Sequence, residues 1–104
     1  MKRATVAKIY EMPIDDERYY FGCSDDDNEF LIGVELYEDF AAAKHNLDKI
    51  FDEDNHLVTR VIGKDWRKLF GGIHYRSFIF EDKKAVCIVL QNYDVEGRNK
   101  YERY

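Results

Sequence analysis

Apolar residues recur at every second position in segment 30–37, where Phe30, Ile32, Val34 and Leu36 share one face, which is the pattern of a half-buried β-strand. The segments with this pattern, or with clustered β-branched and aromatic residues, are 3–11, 18–23, 30–37, 56–62, 73–80 and 84–93. The last of them contains six consecutive apolar residues, Ala85 to Leu90. Such a run predicts a central strand that is covered on both faces.

One segment, 39–53, changes to the period of a helix. Its apolar residues lie three and four positions apart and therefore share one face: Phe40, Ala43, Leu47, Ile50 and Phe51. Three successive alanines favour a helix, and Asp39 is suited to cap its N-terminus. We therefore predict one long helix with an apolar face that packs on the sheet.

A second, shorter helical element is predicted at 64–70 (KDWRKLF). Gly63 is expected to end the preceding strand, and Gly71-Gly72 to end the short element. As a helical turn, this segment directs Trp66, Leu69 and Phe70 inward together.

The order of these elements predicts an α+β domain. Its main layer is a largely antiparallel sheet of five to six strands, because hairpins dominate and crossovers are few. One long helix (about 39–53) packs on a face, and a short helical turn (about 64–70) follows the fourth strand. A chain of 104 residues has the length of one domain. Residues 94–104 lack apolar periodicity and are expected to form a surface tail.

Charge is distributed unevenly along the chain, although the formal net charge is only −5. Residues 1–55 carry 6 Lys and Arg against 15 Asp and Glu, a balance of −9. Residues 56–104 carry 10 against 6, a balance of +4. Because partners respond to local potential, the two halves are expected to offer surfaces of opposite sign.

The cysteines and the lack of long apolar segments favour a cytoplasmic protein. No segment has the roughly 18 apolar residues that cross a bilayer, and the N-terminal segment lacks the apolar core of a signal peptide. Cys23 and Cys87 lie far apart in apolar segments. We expect reduced, buried thiols, with a disulfide between them as the alternative. No Cys or His cluster has the spacing of zinc ligands, and neither a metal nor a cofactor is expected.

An acidic run, 24–29 (SDDDNE), interrupts the first predicted hairpin. Its adjacent carboxylates do not match a calcium loop, which needs acids at alternating positions, a glycine at the sixth and a glutamate at the twelfth. The run is therefore interpreted either as a solvated turn or as a contact surface for a positively charged partner.

Further acidic clusters adjoin this run, and together they predict a binding surface for a basic protein. The predicted contacts are the acids and one tyrosine of the hairpin and the acids that end the helix: Glu17, Tyr19, Asp25, Asp26, Asp27, Glu29, Asp52, Glu53 and Asp54. Proteins that bind nucleic acid expose Lys and Arg to phosphates, so carboxylates can take the place of phosphates on them. The alternative is that these acids only keep the protein soluble.

The basic half predicts a second candidate function, nucleic-acid binding. Its cations lie among aromatic residues, which can stack on bases: Arg60, Lys64, Arg67, Lys68 and Arg76. A third candidate, a small hydrolase or nuclease, uses His74 with Arg76 and a distant acid. No nucleic-acid-binding signature, nucleophile elbow or phosphate-binding glycine loop accompanies these residues, which disfavours both alternatives.

The whole profile is typical of small inhibitors, such as toxin-immunity proteins and phage proteins that block host nucleases. The chain is short and acidic, contains eight tyrosines, and carries no catalytic or metal motif. We therefore predict a non-enzymatic protein that docks an acidic, tyrosine-bearing surface onto a basic partner as a nucleic-acid mimic. Homodimerisation through opposite charges or an open sheet edge is compatible with this function.

Overall fold

A computed structural model describes residues 3–16, 29–52, 55–69, 71–81 and 83–94. In chain order its elements are β1 (Arg3–Pro13), β2 (Leu31–Tyr37), α1 (Phe40–Leu47), a 3₁₀ turn (Asp48–Phe51), β3 (Val58–Leu69), β4 (Ile73–Phe80) and β5 (Lys84–Asp94). The strands form one five-stranded sheet. The helix and the 3₁₀ turn cross one face, so the predicted α+β class is confirmed.

The sheet is antiparallel throughout, in the order β2-β1-β5-β4-β3. The first and last strands are therefore neighbours, and Ala7 lies opposite Leu90. This places β5 in the centre, and every residue from Ala85 to Leu90 is buried. The prediction of a central strand covered on both faces is confirmed.

The helix begins where its cap residue was predicted. Asp39 has an extended backbone, and its Oδ1 accepts a hydrogen bond from the backbone N–H of Ala42 at 2.8 Å. Ala43, Leu47 and Phe51 are buried against one face of the sheet, which we call the helix face. The apolar stripe of the predicted helix is thus confirmed, and the last turn tightens to 3₁₀ geometry before Asp52.

The opposite face of the sheet, the far face, carries a second cluster of buried residues. Its buried residues are Tyr10, Met12, Tyr75, Ala85, Cys87 and Val89. On β5, Cys87 and Val89 of this cluster lie on either side of Ile88, which belongs to the helix-face cluster. The apolar run of β5 therefore has no polar alternation because both of its faces lie in a core.

The predicted helical turn at 64–70 is wrong, because β3 continues from Val58 to Leu69. Gly63 does not end the strand; it takes a φ of 84° and opens a bulge. Beyond the bulge, residues from Arg67 to Leu69 pair with β4, which satisfies the backbone groups on the side that faces β4. Trp66 consequently packs on the helix-face cluster and Leu69 on the far-face cluster, which a helical turn does not allow.

Parts of the sequence-based prediction lie outside the described residues. These are the strand at 18–23, the acidic run up to Asn28, Phe70 of the predicted helical turn, and the tail beyond Asp94. Within the described ranges, no helix has the length and apolar character that crossing a membrane demands.

Candidate binding surfaces

One end of the sheet is where β1 and β4 finish and β2, β3 and β5 begin. The pairing shows this directly: Pro13 lies opposite Lys84, Lys84 opposite Phe80, and Phe80 opposite Val58. On the other side of β1, Leu31 opens β2 opposite Tyr10. Connections from separate parts of the chain therefore meet at this end.

These connections carry acidic residues, and we call the group the acidic end: Asp15, Asp16, Glu29, Asp52 and Glu81. All of them are exposed except Asp16, which is half-buried. Among the described residues of this end, the lysines are Lys83 and Lys84, both exposed, and Lys84 is paired with Glu11 at 3.1 Å. The antiparallel topology thus concentrates carboxylates from three separate connections, β1–β2, the 3₁₀ turn to β3, and β4–β5, at one end of the molecule.

Two of the predicted acidic contacts, Glu29 and Asp52, are described, and both are exposed at the acidic end. The other predicted contacts lie outside the described residues: Glu17, Tyr19, Asp25, Asp26, Asp27, Glu53 and Asp54. The described chain stops at Asp16 and resumes at Glu29, so both boundaries of that gap are at the acidic end.

A second charged surface, the basic edge, follows the edge strand β3. It consists of four exposed cations, Arg60, Lys64, Arg67 and Lys68. Arg60 and Arg67 lie opposite Ile79 and Tyr75 of β4, whereas Lys68 lies opposite His74. The guanidinium of Arg67 is 5.5 Å from the centre of the Tyr75 ring. Positive charge therefore extends to both faces along this edge.

Arg76, the fifth predicted cation, is held inside the protein. Its side chain is only 11% exposed, and its Nη1 lies 3.2 Å from Oδ1 of Asp48. Its Nη2 donates to the carbonyl of Lys64 at 3.2 Å, and its guanidinium lies 4.1 Å from the centre of the Phe51 ring. The same Oδ1 of Asp48 accepts from Nε1 of Trp66 at 2.7 Å. Arg76 thus joins the 3₁₀ turn to the bulge of β3.

Sequence reasoning missed the role of Asp48, although a signal was present. Arg76 lies two residues before Phe78 on β4 and therefore points to the same, helix-covered face. A cation on a face that packs into a core needs an acidic partner. The helix supplies one, since Asp48 follows Lys44 by four residues on the side that faces β3.

His74 lies beside the basic edge, with its ring 4.1 Å from that of Phe40. Burial lowers the pKa of His74 below its ordinary value, and the positive charges of Lys68 and Lys44 lower the pKa further. The folded protein therefore favours the neutral imidazole.

We expect this histidine to make the protein less stable in acid. The unfolded chain binds the proton at the ordinary pKa, about 6.5, whereas the folded chain resists it. Stability present above this pH is consequently lost as the pH falls below it. His74→Phe keeps the contact with Phe40 and removes the titration, so its urea midpoint declines less between pH 7 and pH 5. His45→Gln, at an exposed histidine, is the control and keeps the wild-type decline.

The fold and these surfaces define a class: a small α+β protein with a five-stranded antiparallel sheet, an acidic end and a basic edge. Among the described residues, no group of three or more His, Cys, Asp or Glu side chains is placed to hold a metal ion. Comparisons with protein-family models, curated proteins and solved structures give no match.

Proposed function

We propose that this is a non-enzymatic binding protein of the inhibitor type, phage-encoded or immunity-like, that docks its acidic end onto a basic protein partner in the cytoplasm. The observation that supports this most is the convergence of Asp15, Asp16, Glu29, Asp52 and Glu81 at one end of the sheet. The acids of the adjoining segments enlarge the same negative surface in this proposal.

The partner that fits such a surface is a protein that binds nucleic acid. It carries clustered Lys and Arg that normally meet phosphates, and an array of exposed carboxylates offers them a comparable negative charge. Opposite potentials accelerate the encounter of two proteins. At 0.1 M salt, charges that lie farther apart than the Debye length of about 10 Å are largely screened from each other. Binding of this kind is therefore fast at low salt and slower at higher salt.

The test begins with capture of partners from a lysate of the source organism at low and moderate salt. A supporting partner is basic, is released by salt, and no longer binds nucleic acid when this protein is bound. The result that overturns the proposal is a specific partner whose binding is insensitive both to salt and to removal of the acidic charges.

Neutralising the acidic end is expected to slow association with the captured partner. The variant Asp15→Asn/Glu81→Gln removes two exposed charges there, and we expect its association rate at low salt to fall about 3- to 10-fold. The matched control, Glu38→Gln/Asp65→Asn, removes two exposed charges elsewhere and is expected to change the rate less than 2-fold, by the same reasoning. Stopped-flow mixing measures both, and equal rates for the two variants contradict a localised acidic site.

The acidic run at 25–27 is tested in the same way, with Asp25→Asn/Asp26→Asn/Asp27→Asn. In the proposal it belongs to the contact surface, so this variant also associates more slowly and loses salt dependence, with little change in stability. A variant that keeps full activity and salt dependence identifies the run as a solvated turn.

Nucleic-acid binding by the basic edge is the second candidate, favoured by one observation: four exposed cations lie on a single edge strand. A mobility shift with single- and double-stranded DNA and RNA at low salt distinguishes the two candidates. Binding that is lost in Arg67→Glu/Lys68→Glu but kept in Lys49→Glu/Lys83→Glu, at exposed lysines elsewhere, selects this second function.

A further inference from the structure

The bulge of β3 interrupts the pairing of β3 with β4 and leaves a cavity there. Ile62 lies opposite Ser77 and Arg67 lies opposite Tyr75, so β3 has four residues, 63–66, where β4 has one. The cavity at this bulge has a volume of about 160 Å³. A single water needs only about 10–15 Å³ of such space, so the cavity has room for a ligand of several atoms.

Polar groups from both strands line this cavity. The lining consists of the four paired residues that frame the bulge, together with Gly63, Asp65 and Arg76. Ser77 is buried and contributes a hydroxyl from β4. Gly63 contributes no side chain, so the cavity is not filled from that position. The site therefore combines hydrogen-bond donors with open space.

One donor of Arg76 lacks an acceptor. Nη1 and Nη2 are hydrogen-bonded to Asp48 and to the carbonyl of Lys64, whereas Nε is buried and has no hydrogen-bond partner among the described residues. A buried, unsatisfied donor on a charged group costs free energy, and in native proteins its acceptor can be a bound water or ion. Because Arg76 lines the cavity, a ligand there can be that acceptor.

The charges around the cavity favour an anion. The carboxylate of Asp65 is already engaged, since it lies 3.1 Å from Nζ of Lys44 and accepts from the backbone N–H of Trp66 at 2.7 Å. Arg67 adds a positive charge, with its guanidinium 5.5 Å from the centre of the Tyr75 ring. The neighbouring cations of the basic edge raise the positive potential further.

We propose that this cavity binds a phosphate-type oxyanion, supplied as inorganic phosphate or as the phosphate group of a small phosphomonoester. The Nε–H of Arg76 and the hydroxyl of Ser77 donate to its oxygens, and the guanidinium of Arg67 pairs with its charge. Arginine suits this role because its rigid donors match the geometry of phosphate oxygens. A tetrahedral oxyanion also presents oxygens in several directions, which serves donors from separate positions better than a planar carboxylate does.

This site is independent of the proposed hetero-partner, because none of its residues belongs to the acidic end. Variants of the cavity are therefore expected to keep partner binding, and Asp15→Asn/Glu81→Gln is expected to keep anion binding. Failure of one proposal thus leaves the other standing.

Titration of the full-length protein with inorganic phosphate tests the site, with sodium chloride used to hold the ionic strength constant. Two-dimensional ¹H–¹⁵N NMR observes the Nε–H of Arg76 directly once its signal is assigned. We expect this signal to shift and to approach saturation by about 20 mM phosphate, as for an affinity in the millimolar range. Sodium chloride alone is expected to leave the signal in place.

Matched variants distinguish the cavity from a general attraction of anions to the basic edge. Arg67→Gln is expected to weaken phosphate binding about 10-fold or more, the effect of losing one charged contact. The control Arg60→Gln removes the same charge from the same strand outside the cavity and is expected to weaken binding less than about 2-fold. Ser77→Ala removes the hydroxyl without adding volume and is expected to weaken binding about 3- to 10-fold. Circular dichroism confirms that each variant is folded.

Adenosine monophosphate and adenosine, which lacks the phosphate, distinguish the two sources of the anion. Tighter binding of the monophosphate identifies a phosphomonoester as the ligand, and binding of inorganic phosphate alone identifies the free anion. Either result supports the site. The proposal is overturned if neither phosphate compound shifts the Arg76 signal to saturation, if adenosine binds as tightly as its monophosphate, or if Arg67→Gln and Arg60→Gln weaken binding equally.

Discussion

Replacing Phe51 by alanine is expected to lower the free energy of unfolding by about 3–5 kcal/mol, the range for truncating a buried phenylalanine. Phe51 ends the 3₁₀ turn and is buried against the helix face. Its ring meets those of Trp66 and Phe78 edge to face, at centroid distances of 5.8 and 5.3 Å. Alanine leaves a cavity among these rings and removes the surface on which the guanidinium of Arg76 rests.

Urea unfolding measures this loss, with circular dichroism and the fluorescence of Trp66, the one tryptophan of the chain, as independent signals. Phe51→Leu keeps an apolar side chain and is expected to lose roughly 1–2 kcal/mol, because volume is partly conserved. Leu57→Ala, at a residue that is 44% exposed, is the control and is expected to lose less than about 1 kcal/mol. Similar losses for Phe51→Ala and Leu57→Ala contradict the central position of Phe51.

Replacing Asp48 by alanine is expected to lower the free energy of unfolding by about 2–3 kcal/mol. Removing one partner of a buried ion pair costs about 3–5 kcal/mol, and we reduce this range because the side chain of Asp48 is 37% exposed. The change leaves the guanidinium of Arg76 without its carboxylate and the Nε1–H of Trp66 without its acceptor. Trp66 fluorescence in the folded state is expected to shift, because its hydrogen bond is lost.

A second substitution separates charge from hydrogen bonding at this site. Asp48→Asn retains an oxygen that accepts from Trp66, so it is expected to lose only about half as much as Asp48→Ala. The control pair is Lys44 and Asp65, which lie 3.1 Å apart with side chains 37% and 68% exposed. Lys44→Ala is expected to change stability by at most about 1 kcal/mol, as for exposed ion pairs. An Asp48→Ala variant that loses no more than Lys44→Ala refutes the structural role of the pair between Asp48 and the buried guanidinium of Arg76.

The two segments numbered 39–53 and 64–70 show why one prediction succeeded and the other failed. In the first, helical period, alanines and the cap residue Asp39 all agree, so local signals are sufficient. In the second, Trp66 and Leu69 fit a helical turn by spacing, but they also fit a strand whose faces are both covered. Pairing with β4 decided between the two, and no local pattern reports that pairing.

The candidate surfaces likewise have some features that the sequence predicts and others that only the structure shows. The excess of acids before residue 56 and of cations after it is visible in the sequence, and four of the five predicted cations are exposed on one edge strand. Which cation is buried follows from the helix crossing above β4, where Asp48 meets Arg76. The exposure of Ile32, Val34 and Leu36 was equally hidden, because alternation predicts a shared face without saying whether another layer covers it.

By itself, the sequence determined the helix with its cap and the apolar run of β5, because each depends on residues within one short segment, and the order of such segments along the chain determined the α+β class. Only the tertiary structure decided that β1 lies between β2 and β5, that three connections meet at the acidic end, and that β2 is an edge strand with exposed apolar side chains. The physical reason is that strand order is set by burying both faces of β5 as a whole. That free energy belongs to contacts between distant segments, and local periodicity does not encode it.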